Sequence, residues 1–309
     1  MVRWAVVGVG DITKRRVIPA ILAEPRSRLH GIITRDPAKA AAYDARVWTS
    51  LDAAFEDPDV DAVYVATPVF LHAEQTIAGL RAGKHVLCEK PMAMDETESR
   101  AMVEAAERSK KLLGVAYYRR LYPKLLRAKE LLQAGAIGQP VMAELTCHMW
   151  FDGTGSRSWL VDPAKSGSGP LHDIASHRID ALNHLFGKPL RATALLSNVV
   201  HKYAVEDNAT VLIEYADGIR GIVDVRWHSK VFRDECRIRG TDGELDLTPL
   251  NGPQLVFPGG SELLPVRENL SSLTIENFVG AVLDGAPLAA SGVSSYWTDW
   301  VIGQVLKAQ

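Results

Sequence analysis

Short apolar runs alternate with amphipathic stretches of helical length through the first third of the chain. The apolar runs are rich in Val, Ile and Leu and cover residues 4–8, 29–34, 62–66, 85–88 and 112–115. The stretches between them have the spacing of helices at residues 17–23, 37–44, 73–82 and 96–110. Because strands buried on both faces are apolar throughout, the alternation predicts an α/β domain with a parallel sheet covered by helices on both sides.

The pattern changes after a predicted helix at residues 124–134. A long strand at 141–150 leads into a loop at 152–169 crowded with Gly, Ser, Asp and Pro, and a helix follows at 171–186. Alternating residues then predict strands at 209–215 and 220–228, joined through Asp217-Gly218, a dipeptide suited to a tight hairpin. We expect an α+β second domain with a mostly antiparallel sheet and a division into domains 1–120 and 121–309. The last apolar helix, 297–306, fits either domain.

The composition excludes several classes of partner. The chain has 309 residues, 35 Lys+Arg, 37 Asp+Glu and a formal net charge of −2. A nucleic acid or an anionic membrane would select a basic surface, so neither is expected as a partner. No apolar run approaches the ~18 residues of a membrane span, and the first is too short for a secretion signal. Three distant cysteines favour a cytoplasmic location over a disulfide framework.

A glycine pair lies between the first predicted strand and the first predicted helix. Gly8 and Gly10 permit a tight turn, and the amides of Asp11 and Ile12 would begin the helix, where a pyrophosphate binds. Thr13 stands where the usual G-x-G-x-x-G pattern has its third glycine. The strand-turn-helix context predicts dinucleotide binding; the alternative is the glycine turn of any α/β protein.

The segment after the second predicted strand bears on the choice of cofactor. An NAD site places an acidic residue here against the ribose 2′-hydroxyl, whereas this chain has Thr34-Arg35-Asp36. Arg35 can bond a 2′-phosphate, with Thr34 and Lys39 adding a donor and a charge, so NADP is favoured over NAD. The alternative is that Arg35 and Lys39 are solvated and that Asp36 supplies the acid for NAD.

Two further groups of residues can carry proton chemistry. Glu89-Lys90-Pro91 follows a predicted strand, so Lys90 is placed beside the ligand crevice of a parallel sheet, where desolvation can prepare a lysine for proton transfer. The alternative is an ordinary solvated lysine.

The other group is a set of four polar residues on the helix at 171–186. Asp173, His177, Asp180 and His184 are spaced by four, three and four, so they share one helix face. Asp173 can orient the imidazole of His177 and raise its basicity, as a general acid/base requires. The alternative is a half-buried helix with satisfied polar groups. No metal site is expected, because four ligands on one straight helix spread over ~16 Å.

Several motifs together carry a family resemblance. In chain order they are Gly8-Val9-Gly10, Asp59-Val60-Asp61-Ala62-Val63 with Ala66-Thr67-Pro68 and His72, the block from Ala82 to Pro91, Arg119-Arg120 with Pro123, Trp159, and Asp173-x-x-x-His177-x-x-Asp180. With these motifs the sequence resembles the Gfo/Idh/MocA family (glucose-fructose oxidoreductase, inositol dehydrogenase and a rhizopine-catabolism protein) over essentially the whole chain.

The resemblance implies an N-terminal Rossmann dinucleotide-binding domain and a C-terminal domain, with an open sheet, for substrate binding and oligomerisation. Lys90 would hydrogen-bond the reacting oxygen, His177 would transfer the proton, and Asp173 would hold His177. Besides Lys90, the residues implied at the cofactor are Thr67, Pro68, His72, Glu89 and Trp159. Family members with Ser or Thr before a polar or basic residue after the second strand tend to use NADP.

The substrate implied by the resemblance is a sugar, a polyol or a related small hydroxy or keto compound. The residues expected to contact it, besides Asp173 and His177, are Tyr118, Arg120 and Trp150, with Arg157 and His148 nearby. Ser168 interrupts the usual run of three glycines. Tyr118 replaces the Asn of many members and changes a pocket wall from an amide to a phenol, so the sequence leaves the particular substrate open. A homodimer or homotetramer is expected.

The expected function is therefore that of a cytoplasmic NADP(H)-dependent oxidoreductase acting on CH-OH groups. Two alternatives remain open at this point. One is the branch of the family that cleaves glycosides through transient oxidation by a tightly held NAD. The other is a non-catalytic nucleotide-binding regulator, in which Lys90 and His177 would not be needed.

Overall fold

The computed structural model describes residues 1–265 and 267–308. Its contacts divide these residues into two compact units. The first unit contains Met1–Tyr118 and Arg267–Tyr296, and the second contains the described residues from Arg119 to Pro265 and from Trp297 onwards. The expected boundary after residue 120 lies near the first crossing, but the return of the chain to the first unit was not expected.

The strands and helices have the following bounds. The strands are Val2–Val7 (β1), Ser27–Ile33 (β2), Arg46–Trp48 (β3), Ala62–Val65 (β4), His85–Cys88 (β5), Leu113–Val115 (β6), Pro140–Trp150 (β7), Arg191–Ser197 (β8), Asn208–Glu214 (β9), Arg220–Arg226 (β10), His228–Gly240 (β11), Glu244–Asp246 (β12), Gln254–Phe257 (β13) and Gly260–Leu263 (β14). The α-helices are Ile18–Ala23 (α1), Leu51–Phe55 (α2), His72–Arg81 (α3), Glu96–Ser109 (α4), Pro123–Gln133 (α5), Pro163–Ser166 (α6), Ser176–Phe186 (α7), Leu270–Asp284 (α8) and Gly292–Lys307 (α9).

The first unit contains a parallel sheet of six strands in the order β3-β2-β1-β4-β5-β6. Alternate residues of β1 enter separate cores: Ala5 and Val7 pack on one face, and Trp4 and Val6 on the other. The order reverses between β1 and β4, and ligands of such sheets bind beyond the carboxyl ends of the strands at this switch point. The predicted α/β Rossmann architecture is confirmed.

The helix α8 completes one of these two cores. Ile275, Phe278 and Val279 are buried together with Trp4 of β1, and the rings of Trp4 and Phe278 lie 5.3 Å apart. The segment after α8 also pairs with the sheet, where the Val115 amide donates to the Ala290 carbonyl at 2.9 Å. The returning segment therefore completes the cover of this face, on which Ile18 and Ile21 of α1 also pack.

The second unit contains an open sheet of eight strands in the order β14-β13-β12-β11-β7-β10-β9-β8. Its strand pairs are antiparallel except β10 with β7, so the predicted mostly antiparallel sheet is confirmed. The predicted hairpin is also confirmed, since β9 and β10 are joined through Asp217 and Gly218 with φ angles of 55° and 76°.

Several elements differ from the sequence-based expectation. The helix expected at 37–44 is a single 3₁₀ turn at Pro37–Ala40, in which Ala40 alone is buried, so the segment lacks the apolar face whose packing stabilises a helix. The chain instead forms β3, a short edge strand on β2. The first helix and the helix at 171–186 each begin with a π turn, at Thr13–Val17 and Leu171–Ala175.

The helices of the described chain are of moderate length. The longest is α9, with 16 residues, and α8 has 15. The part of α9 from Trp297 groups with the second unit, and the part up to Tyr296 groups with the first. Within residues 1–265 and 267–308, no helix combines the length and the apolar character needed to cross a membrane.

Candidate active site

The glycine turn follows β1 at the switch point of the first sheet. Gly8 has φ of +93°, and a Cβ there would lie 2.9 Å from the Ala66 carbonyl oxygen, so a larger residue would be strained. A Cβ on Gly10 would meet nothing within 4 Å. The backbone is therefore open above Gly10, and Asp11 and Ile12 beside it are exposed, which fits the approach of a dinucleotide pyrophosphate.

Thr13 closes this turn. The Gly10 amide donates to Thr13 Oγ1 at 2.7 Å, and the hydroxyl donates to the Gly10 carbonyl at 2.9 Å. The residue that departs from the usual glycine pattern therefore stabilises the turn. The Gly10 amide is engaged by this hydroxyl, and the predicted contact of the turn with a pyrophosphate stays a prediction.

Four polar side chains follow β2, of which two make hydrogen bonds within the turn and two are exposed cations. Thr34 is buried, and its hydroxyl accepts from the Asp36 amide and donates to the Asp36 carbonyl, both at 3.2 Å. Asp36 Oδ1 accepts from the Ala38 amide at 3.2 Å and so caps the 3₁₀ turn. Arg35 and Lys39 are exposed. Two cations are thus exposed beside Asp36, whose carboxylate has a structural contact of its own.

The turns after β4 and β5 are tied together by His72, which is 1% exposed. Its Nε2 lies 2.8 Å from the Thr67 carbonyl oxygen and its Nδ1 lies 2.9 Å from that of Pro91. Burial lowers the pKa of His72, which favours the neutral ring. His72 and the Thr67-Pro68 turn therefore have structural contacts here, and their predicted contact with the cofactor stays a prediction.

Glu89 and Lys90 are half-buried after β5. The Tyr64 hydroxyl donates to Glu89 Oε1 at 2.7 Å, and the Lys90 amide lies 3.2 Å from Glu89 Oε2. Burial raises the pKa of Glu89. The Lys90-Pro91 peptide bond is cis. The glutamate thus lies beside the backbone of the predicted catalytic lysine.

The helix of Asp173 and His177 begins in a tightly packed loop. Glu206 accepts from the amides of Gly169 and Leu171, both at 3.0 Å, and so satisfies amides at the start of this helix. A Cβ on Gly169 would lie 2.1 Å from the Glu206 carbonyl oxygen, so glycine is required. Ser168, which interrupts the glycine run, lies 2.5 Å from Nδ1 of His172 through its hydroxyl.

Asp173 and His177 lie at the junction of the π turn and α7. Asp173 is half-buried and its Oδ2 accepts from Arg157 Nη2 at 2.8 Å, whereas His177 is 7% exposed. The structure thus shows an arginine as a partner of the carboxylate predicted to orient His177. The proton-transfer roles of both residues stay predictions.

Asp180 and Arg120 form a buried ion pair. The Arg120 side chain is 3% exposed and that of Asp180 is 0% exposed. Nε of Arg120 lies 2.9 Å from Oδ2 of Asp180, and Nη2 lies 2.5 Å from Oδ1. The guanidinium therefore anchors α7 to the 3₁₀ turn at Tyr118–Leu121. The contact of Arg120 with a substrate stays a prediction.

A second buried pair holds the opposite side of α7. Arg178 donates to Asp234 of β11 at 2.7 Å, and Asn251 donates to the same carboxylate through its amide and side chain, both at 2.9 Å. Arg119 in turn donates to Asn251 at 3.0 Å. Sequence reasoning missed this network and Glu206, because the partners lie far apart along the chain and leave no local spacing.

The remaining predicted pocket residues belong to several different elements. Cys147 of β7 is on the buried face near Arg178 and Asp173, so His148 and Trp150 lie on the opposite face of the sheet. His148 Nε2 lies 2.6 Å from Asp224, and the Trp150 ring is 42% exposed. Trp159 is half-buried in the 3₁₀ segment Gly155–Val161. Tyr118 is half-buried at the end of the first unit.

His184 is the last member of the helix set. It is half-buried, and its Nε2 has no hydrogen-bond partner among the described residues. Burial lowers the pKa of His184 to about 4, and the positive charges of Lys129 and Arg120 act in the same direction. His184 is therefore neutral at physiological pH. No group of three or more metal-ligating residues occurs among the described residues.

We expect His184 to make the protein sensitive to acid. The imidazole takes up its proton near pH 6.5 when unfolded but only near pH 4 when folded, so the unfolded state binds more protons between these values. Stability is therefore lost as the pH falls from 6.5 towards 4. In His184→Leu, scanning calorimetry should show a smaller loss of Tm over this range than in the wild type. An equal loss of Tm in the wild type and in His184→Leu would contradict the role of His184 in acid sensitivity.

A parallel sheet with a glycine turn at its switch point and a second unit with an open sheet together define a two-domain protein of the Rossmann class. The chain belongs to the GFO/IDH/MocA oxidoreductase family. The family model "Oxidoreductase family, NAD-binding Rossmann fold" matches residues 2–117, and the "GFO/IDH/MocA C-terminal domain" model matches residues 125–246. The family resemblance drawn from the motifs is thus confirmed.

Individual relatives resemble the chain over most of its length. A 1,5-anhydro-D-fructose reductase of Ensifer adhaerens is 29% identical over 96% of this chain and 93% of its own. A levoglucosan dehydrogenase of Pseudarthrobacter phenanthrenivorans is 35% identical over 58% of this chain and 46% of its own. The crystal structure of GenD2 from gentamicin A biosynthesis in complex with NAD has a TM-score of 0.86 and 27% identity, and covers 99% of this chain and 93% of its own.

Proposed function

We propose that the chain is an NADP(H)-dependent dehydrogenase or reductase that interconverts a hydroxyl and a carbonyl group on a sugar, a polyol or a similar small polar molecule. The observation that carries this proposal is the pair Asp173 and His177, an acid and a base four residues apart on one helix of an oxidoreductase-family chain. Relatives named for 1,5-anhydro-D-fructose and levoglucosan support the substrate class.

Each proposed catalytic residue has one task. His177 gives or takes the proton of the reacting hydroxyl, and Asp173 orients its imidazole. Lys90 donates a hydrogen bond to the reacting oxygen. When bound, the nicotinamide supplies or accepts the hydride. Because the hydride chemistry belongs to the cofactor, the protein has to align the substrate carbon with the cofactor and with the proton-transfer group.

The cofactor-binding residues in this proposal come from the glycine turn, from the segments after β2, β4 and β5, and from the loop after β7. The residues assigned to it are Gly8, Gly10, Asp11, Ile12, Thr34, Arg35, Lys39, Thr67, Pro68, His72, Glu89, Lys90 and Trp159. The family description and the GenD2 structure name NAD. We propose NADP for this chain, because Arg35 and Lys39 are exposed after β2 while Asp36 caps the next turn. A guanidinium pairs well with a 2′-phosphate. A free carboxylate would repel the 2′-phosphate, because both groups are negatively charged.

Arg35→Ala is expected to weaken NADPH binding about 10- to 100-fold, because a hydrogen bond to a charged group is worth about 1.5–3 kcal/mol. NADH binding should change less than about threefold, since NADH has no 2′-phosphate. Fluorescence titration with both nucleotides measures the two changes. Arg108→Ala, at an exposed arginine on α4, is the matched control. Equal losses for NADPH and NADH would contradict the proposed role of Arg35.

The proposed function is tested by binding followed by turnover. Purified protein is titrated with NADPH and NADH, and a panel of sugars and polyols is then assayed at the nicotinamide absorbance band. Binding of NADPH with stoichiometric turnover of one compound would support the proposal and would argue against a glycosidase with permanently held NAD. Binding without turnover of any compound would favour a regulator. Absence of binding to either nucleotide would overturn the oxidoreductase assignment.

We also propose a cytoplasmic homodimer or homotetramer. The thiols of Cys88, Cys147 and Cys236 are buried, which suits a reducing compartment. One face of the second sheet exposes apolar side chains, with Leu195 80% exposed on β8 and Leu212 41% exposed on β9. Contact with a second copy would cover them.

A further inference from the structure

Arg157 is held by two separate contacts within the second unit. Its Nη2 donates to Oδ2 of Asp173 at 2.8 Å, and its guanidinium carbon lies 4.9 Å from the centre of the Phe151 ring. The Arg157 side chain is 46% exposed, against 15% for Asp173. Because Arg157 belongs to Gly155–Val161 and Asp173 to the π turn before α7, the ion pair ties the loop to the helix.

We propose that Arg157 is a positioning residue for proton transfer at His177. It fixes the Asp173 carboxylate and sets how strongly that carboxylate acts on the imidazole. The inference rests on the proposed function, in which His177 transfers the proton. A carboxylate that shares its charge with a guanidinium stabilises a neighbouring imidazolium less than an unshared carboxylate does. Arg157 therefore keeps His177 from becoming too basic to release its proton near neutral pH.

Other ionisable groups in this part of the unit are either engaged elsewhere or kept uncharged by burial. They are Cys147 of β7, Arg178 of α7, Asp234 of β11, Arg119 before α5 and Glu206 before β9. Arg178 and Arg119 belong to the Asp234–Asn251 network, Glu206 accepts backbone amides, and burial raises the pKa of the Cys147 thiol. Removal of Arg157 therefore changes the charge balance at Asp173 without breaking another described ion pair.

The direct test is the pKa of His177 measured by proton NMR of the free enzyme, with the resonance assigned by its loss in His177→Asn. In Arg157→Gln this pKa should rise by about 0.5–1 unit, because the Asp173 carboxylate no longer shares its charge with the guanidinium. Arg157→Lys keeps the charge and should show less than half of the rise. The matched control is Lys165→Gln, which removes the exposed ion pair of Lys165 with Asp162 from the same loop and should leave the pKa unchanged.

Arg157→Met provides a second neutral variant that retains the packing over Phe151, in case Arg157→Gln does not fold. A pKa of His177 that stays within about 0.2 unit of the wild type in the folded neutral variant would overturn the inference. An arginine with a merely structural role would give that result. If a substrate is found, the acid limb of the kcat/KM profile should move upwards by the same amount as the pKa. Failure of the proposed function is separate: no compound would turn over, whereas the NMR shift would still occur.

Discussion

Asp180→Asn is expected to lower the free energy of unfolding of the second unit by about 3–5 kcal/mol, because it leaves the buried guanidinium of Arg120 without its counter-ion. The Arg120 side chain is 3% exposed, so water cannot replace the lost charge. Denaturant unfolding, followed by circular dichroism and by tryptophan fluorescence, measures the change. A second transition would separate the effect on this unit from that on the first.

The matched control for Asp180→Asn is the same substitution at Asp162, whose carboxylate belongs to an exposed ion pair. Asp162→Asn weakens the exposed pair with Lys165 and keeps an oxygen that can cap α6, so it should cost at most about 1 kcal/mol. The double replacement of Asp180 by Leu and Arg120 by Met should recover much of the loss, since it removes both buried charges. A loss below about 1 kcal/mol for Asp180→Asn would show that the pair is accessible to water.

His177→Asn is expected to reduce kcat by about 10²- to 10⁴-fold on a true substrate, because it removes the group that transfers the proton. Asparagine retains a polar side chain but does not exchange a proton near neutral pH. Nucleotide affinity should stay within about threefold of the wild type, so that the loss is in kcat and not in binding. Steady-state kinetics and nucleotide titration on the same preparation give both values.

His148→Asn is the matched control for His177→Asn. His148 is also a histidine of the second unit with an aspartate partner, but it lies on the opposite face of the sheet, 2.6 Å from Asp224. Its replacement should leave kcat within about threefold of the wild type. Similar losses in both variants, or a kcat of His177→Asn close to that of the wild type, would contradict the assignment of the proton-transfer group.

The parts of the fold that follow from local pattern could be predicted. Most strands of the first sheet are covered on both faces and are therefore rich in apolar residues. Their positions could for this reason be predicted from the sequence. The turn at Asp217-Gly218 could be predicted because both residues take positive φ angles that most side chains avoid. The edge strand β3 could not, because its three residues carry too short a pattern and the strand is held by hydrogen bonds to β2.

The candidate site shows the same division. The helix spacing placed Asp173, His177, Asp180 and His184 on one helix face. It did not predict which residues they contact. The partner of Asp180 is Arg120, 60 residues away, and the amides at the start of the helix are satisfied by Glu206, from another loop. Such pairs form only when distant segments of the chain pack together. The spacing of residues along one helix carries no information about that packing.

The return of the chain to the first unit has a consequence for synthesis on the ribosome. A nascent chain released as far as residue 120 holds all six strands of the first sheet but lacks α8, so the side chains that pack on Trp4 and Val6 are incomplete. Domains that are continuous in sequence fold as soon as they emerge, N-terminal domain first. Here the second unit is also discontinuous, because its segment from Arg119 to Pro265 emerges before Phe278 and Val279 but its segment from Trp297 emerges after them. Neither unit can therefore complete its core until α8 and α9 have been translated.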